Sequence, residues 1–516
     1  MRFCRGTASH AAAVRRGLLA ATASASVLAS GACQAPPIQS PPPATTVVRV
    51  GIAQPVGVPS TAAAVSQVAR RLTFATLVTV APDSTIQPGL ASRFEVSADG
   101  RRWLFELRPG LRFTDGSPLD ATVVAGILDR ILRGGDLGPG LQDITHVEAI
   151  GPATLAIDLR AQSSLLPEAL AVVSIERLEA EPATAGPYRR LANDGDWTPL
   201  EAFAEYYRGR PSIDRVELRG YPTSRAAWVA LMRDEIDLLY DVPTDAAEFV
   251  EASSNIQSFS FLRPFVQVLG FNVATPALRD ARVRRAIALA VDREAIISQA
   301  FSDRATPATG AVWLRHWARQ EQLAVPAGRH VEQARRLIAE ATGMPPPLRA
   351  NESIRRVSCL LPAGYPVFER TALVLQRQLL DIGIDLRPEV LPVGELTRRL
   401  GEGRFETYLF EQNTGLGMYL PYLFWHSPGP EAPLIRHGYT GADPSLDRVL
   451  RAENRNALGE AIREFQRAMA DDPPAVFLAW TETARAVRRR FVIPDEPDRD
   501  VFASLPQWKP SGAAAP

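Results

Sequence analysis

Apolar residues in this chain repeat at two spacings, and the two spacings take turns along the sequence. Trp103, Phe105 and Leu107 alternate with other side chains, as do Leu155, Ile157 and Leu159, and Val216 and Leu218. Strict alternation places one face of an extended segment against a core, so these segments predict half-buried strands. Val47 to Ile52 is a β-branched run that ends at Ala53-Gln54-Pro55 and predicts a buried first strand. Asp99-Gly100 supplies a turn before the strand at Trp103, and Leu111 and Phe113 resume its alternation after Pro109-Gly110.

The second spacing is helical. Ala121 to Leu132 reads as a helix, and Val283, Ile287, Ala290 and Val291 share one face behind Asp280, a plausible cap. Phe368, Ala372, Leu375, Leu379 and Ile382 follow steps of four, three, four and three. Gly383 then stops the helix, and Ile384-Asp385-Leu386 opens a strand. Leu458, Ile462, Phe465 and Met469 repeat the pattern up to Pro473-Pro474, after which Ala475 to Trp480 predicts an apolar strand. Strands and helices in alternation predict an α/β chain with helices packed on mixed sheets. Its 516 residues exceed what one core of roughly 250–300 residues absorbs, so two large lobes are expected.

Charge and motifs exclude more than they identify. The 57 basic and 57 acidic side chains balance, without the basic surplus of a nucleic-acid binder. Lys509 is the only lysine, so phosphate loops and Schiff-base chemistry lack a positioned amine. G-x-S-x-G, HExxH, P-loop and G-x-G-x-x-G patterns are absent. The six histidines, His10, His146, His316, His330, His426 and His437, are dispersed. No enzyme activity, no cofactor and no metal site is expected. Nothing after residue 40 offers ~18 consecutive apolar residues, so no transmembrane helix is expected in the body.

Residues 1–33 carry Arg2, Arg5, Arg15 and Arg16 without any acid, then an apolar run from Gly17 to Ala29, then Ser30-Gly31-Ala32-Cys33. A basic start, a short apolar stretch and small residues before a cut form an export signal. The end of this run resembles a bacterial lipobox, with Ser30 where leucine is usual; the resemblance implies lipidation of Cys33, and simple secretion is the alternative. Arg15-Arg16 with Leu18-Leu19 is a weak twin-arginine match. Residues 34–46 (QAPPIQSPPPATT) predict an extended tether. Without the four leader arginines the chain is acidic by four. Cys359 stands in an apolar segment, and no disulfide is expected.

Several segments fall together in one order. Ile86 to Leu90 (IQPGL) precedes Phe94 to Gly100 (FEVSADG) and then WLFELRPGLRFTDGSPLDATVV from Trp103 to Val124. Ala185 to Tyr188 (AGPY), Tyr206 to Val216 (YYRGRPSIDRV), Glu235-Ile236-Asp237, Leu269 to Asn272 (LGFN), Asp280 to Arg293 and Ile382 to Ile384 follow. This series resembles the family 5 extracellular solute-binding proteins, the dipeptide- and oligopeptide-binding components of ABC importers, over roughly residues 47–495.

The resemblance implies a type II periplasmic-binding-protein clamshell with two lobes of mixed sheets, the first enlarged and discontinuous. The crossings are expected near Gly270 and Trp480, giving lobe 1 at 47–269 plus 481–516 and lobe 2 at 270–480. It implies a periplasmic or extracytoplasmic monomer, held to the membrane by a lipid. Such a protein captures a peptide-like solute between its lobes and delivers it to a permease and ATPase. A sensing lipoprotein, or a binder of nickel, haem or another small solute, is the alternative. By the same resemblance the ligand is met by Gln54 and Pro55, Phe265, Trp313, Tyr365, and the loop from Glu411 through Gln412 and Asn413 to Thr414. Peptide-binding members usually carry an aspartate in that loop, and Glu411 to Leu420 has none.

Overall fold

The computed structural model describes residues 45–511 apart from 56–57, 59, 136–137, 178–181, 243–246, 324, 327, 344–354, 428–434 and 495–498. The expected export signal, the lipidation site Cys33 and nearly all of the tether lie outside the described residues.

Most strands belong to one eleven-stranded mixed sheet. Two long strands, Ile256–Phe271 and Ala475–Arg488, pair antiparallel at its middle. On the outer side of Ala475–Arg488 follow Leu238–Leu239, Val47–Ala53, Arg215–Tyr221, Trp197–Ala202 and Tyr188–Arg190. On the outer side of Ile256–Phe271 follow Thr407–Asn413, Arg355–Pro362 and Ile384–Leu391. Val47–Ala53 runs parallel to Arg215–Tyr221, and Arg355–Pro362 runs parallel to Ile384–Leu391, as helical crossovers between strands require. Between the two wings the register of the long strands breaks. Leu262 faces Glu482 and the next pair is Val266 with Trp480, so Arg263, Pro264 and Phe265 lie opposite Thr481 alone. A bulge of this kind bends the strand and tolerates a proline that cannot donate to the ladder.

A separate four-stranded antiparallel sheet, Ala91–Val96, Arg102–Leu107, Thr154–Leu159 and Ile144–Ala149, is covered by the helix Ala121–Arg133. Phe105, Val124, Leu128, Leu155 and Ile157 form its core. The alternation at Leu111 and Phe113 does not continue as a strand. Phe113 N donates to the Ser117 carbonyl at 2.9 Å around Gly116, whose φ of 83° needs a glycine, and only an isolated bridge joins Arg112 to Pro118. Both apolar side chains are buried all the same, because the turn points them at the same core.

Ala475–Arg488 is longer than its apolar part suggests. Its second half carries Arg485 and Arg488, both buried. Arg485 forms paired hydrogen bonds to Asp500 at 3.0 and 2.9 Å and another to Asp241 at 2.8 Å, while its guanidinium lies 3.8 Å from the Tyr240 ring centre. Partnered charges let a strand continue inward where hydropathy alone marks its end.

The segments that carried the family resemblance serve as framework. Asn272 Nδ2 donates to the carbonyls of Gly403 and Phe405, and its Oδ1 accepts from Ala274 N. Asp280 caps the helix Ala281–Ala290. Arg293, with 1% of its surface exposed, donates to the carbonyls of Ala308 and Phe477 at 2.8 Å each and of Pro326 at 3.3 Å. Burial without a carboxylate lowers its pKa to about 10. Gly270 is needed where the Tyr408 ring lies so close that a Cβ would collide with it.

Candidate functional site

Five of the expected ligand residues gather around the bulge, on the strand Thr407–Asn413 and the bulge beside it. Phe265 is the register partner of Asn413, and Gln412 is the partner of Val266. Glu411 Oε1 accepts from Arg263 at 2.9 Å and from the Thr481 hydroxyl at 2.6 Å, so the only acid of its loop is tied to both long strands. Thr414 N donates to the Pro264 carbonyl at 2.9 Å, and Asn413 Oδ1 accepts from Gly415 N. The Arg263 guanidinium lies 4.9 Å from the Phe265 ring centre. Gln412 is buried, with Oε1 lacking a partner. Tyr365 stands close enough for Glu411 to act on it: burial first, then that charge, raise its phenol pKa.

The remaining candidates are placed otherwise. Gln54 donates to the Val58 carbonyl at 2.8 Å, Pro55 is exposed, and no contact joins either to the bulge among the described residues. Trp313 is 3% exposed and packs edge-on against Trp480 with ring centres 5.2 Å apart, and its indole N–H donates to the Pro82 carbonyl at 3.0 Å. Its ring serves packing and its donor is already occupied.

A second region was not read from the sequence. A cleft of about 360 Å³ opens between the four-stranded-sheet region and the segments around His316 and Arg455. Phe94, Trp103, His316 and Trp317 give it aromatic walls, and Ser163 and Glu168 lie within it. His316 accepts from Ala318 N at its Nδ1, and burial lowers its pKa to about 4, so the ring is neutral at pH 7. Glu168 projects from the helix Leu166–Val172 onto the 411–420 stretch, where its Oε2 accepts from Tyr419 N at 2.7 Å. Burial pushes its carboxyl up to about 7, against the opposing pull of the Tyr419 and Met418 backbone N–H groups. The stretch that lacks an aspartate thus meets a carboxylate from 251 positions upstream. Only a solitary glutamate in an apolar segment, Leu165-Leu166-Pro167-Glu168-Ala169-Leu170, hinted at this in the sequence.

A belt of hydrogen bonds surrounds the cleft. Trp317 N donates to the Asp83 carbonyl at 3.1 Å, Ser164 N to the Leu450 carbonyl at 2.9 Å, and Ser84 Oγ to the Leu416 carbonyl. Arg451 reaches Asp143 at 2.5 Å. Among the described residues, no three His, Cys, Asp or Glu side chains come together as a metal site, and no helix is long and apolar enough to cross a membrane. Cys359 is buried, its thiol pushed up to about 12 by desolvation.

Known proteins resemble this chain in sequence and in fold. The glutathione-binding protein GsiB of Shigella boydii is 29% identical over 243 residues, 43% of this chain and 47% of that protein, so the match spans about half the relative's length. The substrate-binding protein CtaP of Listeria monocytogenes superposes with a TM-score of 0.77 at 20% identity, covering 90% of this chain and 99% of that one. The oligopeptide-binding protein AppA of Bacillus subtilis, solved with a nonapeptide, gives 0.70 at 20% identity over 90% and 99%. These likenesses make the fold that of the type II periplasmic binding proteins. The profile of the bacterial extracellular solute-binding proteins, family 5, matches residues 85–432, most of the described chain, and the protein belongs to that family.

Proposed function

We propose that this protein is the solute-binding component of an ABC importer, which closes two lobes around a peptide-like solute and presents it to a membrane permease and its ATPase. The observation that carries the reading is the pair of long strands broken in register at Arg263–Phe265. They join the two wings of the sheet at the point where the Glu411 cluster sits. On this reading residues 47–269 with 481–516 form one lobe and 270–480 the other. Every bond of the belt around the cleft then links the two lobes and belongs to the closed form.

Closure is the working step, and no bond is made or broken in the solute, so the protein is not an enzyme. Neither lobe alone removes the solute from water; bringing them together does, and the solute stabilises the closed form by as much as it prefers it. The glutathione-binding relatives support a small peptide-like solute. A monomer with Cys33 lipidated and a Pro-rich tether would hold the lobes near an extracytoplasmic membrane surface. Native mass spectrometry of freshly purified protein is the test. A bound small solute is expected, and returning it to the emptied protein should raise the melting temperature and reduce the radius of gyration. A protein that carries no solute, and neither stabilises nor compacts with any member of a broad peptide and small-solute set, would overturn the reading.

A further inference from the structure

We propose that the cleft beside Glu168 binds the cationic end of a small organic solute, a primary ammonium or a guanidinium, with the Glu168 carboxylate as its counter-ion. The proposal deepens the solute-binding reading and rests on it.

Three independent observations converge on the cleft. The first is an enclosed acid without a counter-charge. Among the described residues no arginine, lysine or histidine pairs with Glu168, and two backbone N–H groups are what its carboxylate receives. The neighbouring backbone is shaped to it, because a Cβ on Gly417 would collide with its oxygens. An acid so held leaves further lone pairs unused, and desolvation makes a cation beside it strongly favourable. The second is the wall chemistry. Phe94, Trp103 and Trp317 offer π-faces, which attract cations, and Arg455 already lies 4.2 Å from the Trp317 ring centre. The third is a set of unused donors. Trp103 Nε1 and Ser163 Oγ are both buried without a partner, and both residues line the cleft. Buried donors are normally paired, so these two are suited to carbonyl or carboxylate oxygens on the same solute.

The titratable groups that share the cleft do not supply the missing charge. His316 is neutral, Glu453 is a second acid, and Arg455 is turned to Trp317. A volume of about 360 Å³ lies at the small end of ligand sites, which suits an amine of dipeptide or tripeptide size. Because the carboxyl is held near neutrality, a bound cation would ionise it and displace its proton to solvent.

Isothermal titration with two matched pairs tests this: tri-alanine against N-acetyl-tri-alanine, and tyramine against N-acetyltyramine. The free amine of at least one pair is expected to bind tenfold or more tighter than its acetylated partner. Buffers of different ionisation enthalpy should report proton release at pH 7 for the amine alone. Glu168→Gln should erase both the preference and the proton release. Should that variant fold poorly, the wild-type pH profile serves instead: amine affinity should rise from pH 5 to pH 8 while that of the acetylated partner stays flat. Equal binding within both pairs, a preference that survives Glu168→Gln, or no amine binding at all would overturn the proposal. If neutral solutes still bind and compact the protein, the solute-binding reading stands while the cationic site falls; if nothing binds, both fall.

Discussion

Among the described residues neither Arg293 nor Glu168 has an ionic partner, and their surroundings treat them in opposite ways. Around Arg293 three backbone carbonyls converge, so the guanidinium stitches a helix start to a central strand and to two neighbouring loops. Around Glu168 two N–H groups come from one loop, and nearby donors on Trp103 and Ser163 remain unpaired. One region is closed chemically as well as sterically; the other is incomplete. Residues of the first kind hold a fold, whereas unsatisfied polar groups at the edge of a cleft are what a ligand can satisfy.

Mutations can break or sharpen this contrast. Arg293→Ala should be the most damaging, with a loss of about 3–5 kcal/mol in urea unfolding, since it strands buried carbonyls and leaves a void. Asn272→Ala removes two donors and an acceptor that lock its loop, and about 2–3 kcal/mol should go by the same measurement. Glu168→Gln should act with the other sign. A carboxyl whose folded pKa is raised to about 7 contributes stability below its ordinary value of about 4.3 and loses it as pH rises through 7. The variant should therefore match the wild type at pH 4.5 and exceed it at pH 8 by roughly 1–2 kcal/mol. A variant less stable at pH 8 would put Glu168 in the same class as Arg293. Ser163→Ala should be nearly silent, within about 0.5 kcal/mol, because its hydroxyl has no bond to lose. A loss of 2 kcal/mol there would erase the distinction between the two regions.

The sequence disclosed the first kind of region far better than the second. Strand alternation at Trp103–Leu107 and the helical steps from Phe368 to Ile382 were legible because each obeys a local period that burial enforces. The motif residues Asn272, Asp280 and Arg293 were legible by resemblance, and the structure gives them backbone-holding tasks. The strand from Ala475 runs beyond its apolar part, where Arg485 and Arg488 look like solvent residues until their partners Asp241, Asp500 and Asp234 are folded against them. The cluster of Glu411 with Arg263 and Thr481 depends on contacts spanning 148 and 70 positions. Glu168 against Tyr419 spans 251. No local pattern encodes pairings of that reach, so the expectation for Gln412, Asn413 and Thr414 could name a loop but not what faces it.

The place of Ala475–Arg488 in the sheet has a consequence for the order in which the molecule assembles. It lies between Leu238–Leu239 and Ile256–Phe271 and also receives Ala305–Pro307, so strands from early, middle and late parts of the chain close on it. Until that segment has been synthesised, both neighbours present unpaired edges, and the central sheet has no middle. Contacts of such long sequence separation form slowly. Assembly of the central sheet therefore waits on residues 475–488: a truncation ahead of residue 475 would yield two wings that cannot join rather than a weakened version of the whole.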